Sequence, residues 1–207
     1  MISASDALQR LRDGNRRFVA SVAASTSSPL STRRVVLTRE QQQPFAIILG
    51  CSDSRVPAEI VFDQGLGELF VIRVAGNIVA PSQVGSVEFA AARFSTKLVV
   101  VLGHSQCGAV VATIDSLRQP SGVESRNVGS IVGRIRPVVE PLMGTELARN
   151  PEALTSAAVR ANVGASVNHL RHGSAVLEQL GRDGGLMIVG AEYSLETGVV
   201  DFFNSNT

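Results

Sequence analysis

The chain has 207 residues, 44% of them apolar and 18% charged, and a formal net charge of +1. This is enough for a single domain, 1–207, with a sizeable core, and too apolar for a disordered chain. The near-neutral balance gives no reason to expect nucleic acid or an anionic membrane as partner, and no apolar run reaches the roughly 18 residues that span a bilayer.

Residues 1–40 read as an N-terminal helix and arm. Ser5 opens an amphipathic helix over about 5–20 that carries Leu8, Leu11, Phe18 and Val19. The Ser/Thr-rich stretch 21–32 follows as a loop, or as an arm reaching across a partner subunit. Strand-like apolar runs recur at 45–50, 69–74, 97–103 and 186–192. Helical patterns lie at about 57–62, 83–94, 107–117 and 130–142, then over 151–180 with a break at Gly173. The last of these carries apolar residues on more than one face, so it is expected to be buried, against its own sheet or another subunit. The chain closes with a hairpin, 186–193 against 198–203, turning at Glu196-Thr197-Gly198. Strands alternating with helices give an α/β fold: a central, mostly parallel β-sheet flanked by helices, with an N-terminal helical arm. Continuous apolar strands such as Leu98–Leu102 fit a sheet covered on both faces, and such sheets bind ligands beyond the carboxyl ends of their strands.

Two polar clusters stand at that edge. Cys51-Ser-Asp-Ser-Arg55 follows the first strand, and His104-Ser-Gln-Cys-Gly108 follows the third. Both cysteines of the chain lie in them. Zinc takes four tetrahedral ligands from thiolate, imidazole and carboxylate, and Cys51, His104 and Cys107 supply three. The fourth position belongs either to water, as in a catalytic site, or to the carboxylate of Asp53, as in a closed one. Arg55, two residues on, can hold Asp53 in a bidentate pair and keep it off the metal. The competing readings are a disulfide, and an Asp53 that caps a helix starting near Pro57. The polar N-terminus lacks the apolar core of a secretory signal, which points to a reducing, cytoplasmic setting and disfavours the disulfide. Other chemistry lacks its residues. There is no phosphate-binding G-x-x-x-x-G-K-[ST] loop, Gly65-Leu66-Gly67 lacks a third glycine, and His169 with His172 reads as a solvated helix face.

The paired motifs resemble those of the β-class carbonic anhydrases. Further matches run through Gly65 to Arg73, Ala75-Gly-Asn77 and Gly85 to Ala90, so the resemblance covers about 5–203. It implies zinc bound by Cys51, His104 and Cys107, with Asp53 ligating only in a closed state, and a catalytic dyad of Asp53 and Arg55. It implies reversible hydration of carbon dioxide to bicarbonate and a proton, in a homodimer or higher homo-oligomer with the cleft at the dimer interface. Gln42, Phe70, Ala75, Phe89 and Gly108 are the residues it implies for the substrate pocket; Phe89 replaces the tyrosine of plant-type members. Ile48 stands where bicarbonate-inhibited members carry tryptophan, although Arg73 and Tyr193 are present, and this departure favours an open site. Two alternatives share the motifs: a related zinc hydrolase acting on a linear triatomic such as carbon disulfide, and a non-catalytic zinc-stabilised module.

Overall fold

The computed structural model describes residues 2–24, 42–119 and 125–203. Five strands form one sheet in the order β2-β1-β3-β4-β5, with β1 Ala46–Gly50, β2 Leu69–Arg73, β3 Leu98–His104, β4 Met187–Tyr193 and β5 Val200–Phe203. The first four are parallel, and β5 returns antiparallel to β4 as the expected hairpin. Every residue of the central strands β1 and β3 is buried, because helices cover both faces of the sheet. Alternate side chains point to opposite faces. Ile48 and Val100 meet Leu11 of α1 (Ala4–Ala23) and Phe62, which follows α2 (Ala58–Val61). Ile47, Leu49 and Val99 meet Val87 of α3 (Pro81–Phe94), Val163 and Leu170 of α6 (Pro151–His172), and Leu177 of α7 (Ala175–Asp183). A third cluster joins α4 (Gly108–Arg118) and α5 (Arg126–Val139) to α6 around Cys51 and Cys107.

The helix ends have local causes. Ser3, rather than Ser5, caps α1, its hydroxyl accepting from the Asp6 N–H at 3.1 Å. α6 stops at His172, and Ser174 caps α7. A side chain at Gly173 would put its Cβ 2.6 Å from the His169 carbonyl oxygen, so the expected break falls at the residue that permits it. α5 starts at Arg126 under a Ser125 cap, earlier than expected, and passes at Glu140 into a 3-10 turn. Pro141 has no N–H for the Pro137 carbonyl, which ends the α-helical ladder.

α1 is no free arm; it packs on its own sheet. Gly14 lets it approach Phe62, whose carbonyl oxygen would lie 1.8 Å from a Cβ there. Buried Asn15 donates to the carbonyls of Val61 (3.1 Å) and Gly198 (2.8 Å) and accepts from the Val200 N–H (2.9 Å). One side chain thus ties the first helix to α2 and to the terminal hairpin. Of the expected loop or arm over 21–32, residues 25–32 lie outside the described residues. Asn15→Ala leaves these buried groups unpaired and is expected to lower unfolding free energy by about 3 kcal/mol, read as a lower urea midpoint at unchanged slope.

Candidate metal centre

β1 and β3 are hydrogen-bonded neighbours, with Gly50 opposite Leu102. Both chains therefore leave the sheet at one edge, side by side. Cys51 is the first residue beyond β1, and His104 is the last of β3. The chain then turns within three residues, rather than through a helical turn, and Cys107 becomes the N-cap of α4. Gln106 makes this reversal possible by taking the left-handed conformation, φ 56°. The turn is fixed at Ser105, whose N–H reaches the Tyr193 carbonyl (2.9 Å) and whose hydroxyl accepts from the Leu195 N–H (3.0 Å).

The two sulfurs and a ring nitrogen of His104 all lie within 4.8 Å of one another, on three buried residues. His104 Nδ1 sits 2.9 Å from the Ser105 carbonyl oxygen. A carbonyl only accepts, so Nδ1 carries a proton, and in the neutral ring that binds a metal Nε2 keeps its lone pair. Nε2 is buried and has no hydrogen-bond partner. Burial pushes the imidazole down, and the Cys51 sulfur and the Ser105 carbonyl more than reverse this. The two sulfurs act on each other. The hydrogen bond with Cys107 pulls the Cys51 thiol far below its usual range against the effect of burial, and the N–H groups of Gly76 and Asp53 assist. The same bond, with burial, pushes Cys107 up. Two sulfurs and an imidazole nitrogen that face one another fit a tetrahedral divalent ion such as zinc, which would satisfy all three donors.

Asp53 does not join them. Arg55 donates Nε to Oδ1 at 2.9 Å and Nη2 to Oδ2 at 2.7 Å, and its backbone N–H reaches Oδ1 at 2.9 Å. These bonds, the Arg55 side chain first, hold the Asp53 carboxyl well below the ordinary carboxylate range against the opposing effect of burial. Oδ2 nevertheless stands 3.8 Å from His104 Nε2, beside the point where the donors converge. Asp53 caps no helix: Pro57 precedes α2 and has no side-chain cap. Arg73, at the end of β2, donates to the carbonyls of Cys51 (3.0 Å) and Asp53 (2.5 Å), which fixes the strand of loop that carries both.

The pocket residues divide. Ala75 adjoins Gly76, whose N–H meets the Cys51 sulfur at 3.4 Å, and Gly108 adjoins Cys107 with open space where a Cβ would stand. The chain itself does not bring Gln42, Phe70 and Phe89 there. Gln42 borders a cavity with Phe45 and Lys97, at the amino edge of the sheet. Phe70 pairs with Ile47, three residues before the carboxyl edge, and clusters with Phe89 and Phe94 at ring separations of 6.0–6.3 Å. Residue patterns did not single out Gly76 or the backbone-holding role of Arg73; the local signal for both was the Ala75-Gly-Asn77 and β2 matches alone. Ile48 is a fully buried core residue and Tyr193 packs on Phe18 at 6.5 Å.

A family model described as carbonic anhydrase matches residues 46–200. A carbonic anhydrase of Mycolicibacterium smegmatis is 40% identical over 197 residues, covering 94% of this chain and 91% of the relative. Carbonic anhydrase 2 of Mycobacterium tuberculosis is 36% identical over 195 residues, covering 93% and 89%. Among solved structures, a β-carbonic anhydrase from Coccomyxa in complex with acetazolamide superposes with a TM-score of 0.69 at 25% identity, covering 92% of this chain and 83% of that one. A tetrameric β-carbonic anhydrase of Sordaria macrospora has the same fold, with a TM-score of 0.70 at 20% identity and coverage of 92% and 93%. With its two cysteines, histidine and Asp–Arg pair at the sheet edge, the chain belongs to the β class of the carbonic anhydrase family.

Proposed function

We propose that the chain hydrates carbon dioxide reversibly to bicarbonate and a proton, at zinc held by Cys51, His104 and Cys107. The observation that carries this is the convergence of three buried donors while the nearby carboxylate is occupied by Arg55. Zinc, when bound, supplies a Lewis acid that makes hydroxide available near neutral pH. Cys51 and Cys107 would hold the ion as thiolates and His104 through Nε2, leaving a position beside them for solvent. The Asp53 carboxylate borders that position and only accepts hydrogen bonds when ionised. It would accept a hydrogen bond from the attacking hydroxyl and so turn a lone pair of that oxygen towards the carbon of carbon dioxide. Arg55 keeps Asp53 ionised and away from the ion. The Arg55 side chain is 54% exposed, so solvent reaches the dyad and receives the product proton.

A non-catalytic module needs Asp53 as a fourth ligand, and its three bonds from Arg55 favour the enzyme. We place Gln42, Phe70 and Phe89 in a cleft completed by a second copy of the chain. Phe89 is 56% exposed beside edge strand β2, and aromatic walls suit a small nonpolar gas. Among the described residues no helix is long and apolar enough to cross a membrane. The two free cysteines support a reducing setting such as the cytoplasm.

Cys51→Ala is expected to lose stoichiometric zinc; unchanged metal content by elemental analysis overturns the ligand set. Arg55→Ala releases Asp53 towards the ion and is expected to cut stopped-flow carbon dioxide hydration about 10–100-fold while zinc stays bound. Two thiolates cancel the ion's formal charge, so the water it activates ionises above the value of about 7 seen with three histidines, and hydration should rise between pH 6.5 and 9. Asp53, held low, stays ionised throughout that window, so the rise is not its titration. A flat profile contradicts this assignment.

A further inference from the structure

Behind the centre, Ala75–Asn77 forms a 3-10 turn that takes the left-handed conformation twice, at Gly76 (φ 69°) and Asn77 (φ 42°). This turn delivers the Gly76 N–H to the Cys51 sulfur at 3.4 Å. Its own backbone bond runs from the Asn77 N–H to the Val74 carbonyl at 3.0 Å. Its buried Gly76 and Asn77 carbonyls are bonded from α6, where Asn162 Nδ2 donates to the Gly76 oxygen at 2.7 Å and the Ser166 hydroxyl to the Asn77 oxygen at 3.1 Å. Asn162 and Ser166 are 3% and 5% exposed. They lie one helical turn apart, on a helix whose other buried positions, save Ala158, are Val and Leu. A Cβ at Gly76 would come within 2.8 Å of Ile135 and 3.0 Å of Ala109, so the turn is boxed in on its other side.

We infer that Asn162 and Ser166 are positioning residues for the metal centre, clamping the Gly76–Asn77 turn so that its amide donates to the Cys51 sulfur. The inference rests on the zinc reading above. An amide donor on a metal-bound thiolate draws charge from sulfur, fixes its direction and keeps the ion electrophilic. This matters most where two thiolates already neutralise the ion.

The test compares Asn162→Ala and Ser166→Ala with Val167→Ala, a cavity on the same helix within the sheet-facing core. Zinc release to a chromogenic chelator is followed, together with the near-ultraviolet sulfur-to-metal charge-transfer band of the cobalt-substituted protein. Asn162→Ala should release zinc about 10-fold faster or more and move the band to longer wavelength, Ser166→Ala should act in the same direction, and Val167→Ala should leave both unchanged despite lower thermal stability. If Asn162→Ala does not fold, Ser166→Ala decides alone. Uptake of one cobalt per chain with variant bands and release rates like those of Val167→Ala overturns the inference alone. Failure of the unsubstituted chain to take up cobalt overturns the metal reading and the inference together.

Discussion

Three electron-rich atoms held against one another in a dry pocket repel unless something positive sits among them. Cys51, His104 and Cys107 are in that position, and much of the surrounding structure serves to keep them there. Parallel pairing of β1 with β3 sets the first two side by side. The left-handed Gln106 folds the chain back so that the third joins them at the start of α4. Ser105 determines which nitrogen of the imidazole is free. Each device acts on backbone, and the sheet register turns them into geometry.

Around the donors the polar groups form two sets with different roles. On the open side, Arg73 grips the carbonyls of Cys51 and Asp53, and Arg55 grips the carboxylate itself. A carboxylate so close to a cation would otherwise ligate it, and a site with four protein ligands has no room for reacting water. On the buried side, the groups are neutral amides and a hydroxyl, which can order a loop without adding charge beside two thiolates. Function on this scaffold depends on that division: charged control where solvent enters, neutral support where it does not.

Much of this could be read from the chain because its signals are local. Continuous apolar runs marked four strands to within a residue, and the chain's two cysteines follow two of them, Cys51 directly after β1 and Cys107 three residues after β3. The grouping of Cys51, His104 and Cys107 at the sheet edge and the Asp53–Arg55 pair could be anticipated from residue type and spacing. What escaped was long-range. Asn162 and Ser166 meet residues 86 and 89 positions away, and in the sequence they are polar interruptions of an apolar helix. Asn15 bonds a carbonyl 183 residues on, which no helical period announces. Gln42, Phe70 and Phe89 match a pocket by motif, yet one copy of the chain keeps them apart from Cys51, because a motif match does not fix where a side chain lies along its strand or helix.

The ligands also stitch elements together. Residues 51, 104 and 107 belong to the exit of one strand, the end of its neighbour and the cap of a helix, so an ion gripping all three acts as a crosslink closing a loop of more than fifty residues. Like a disulfide, such a staple shrinks the freedom of the unfolded chain, and unlike one its strength follows the concentration of free metal by mass action. With zinc bound as proposed, heat resistance would be coupled to the supply of the free ion.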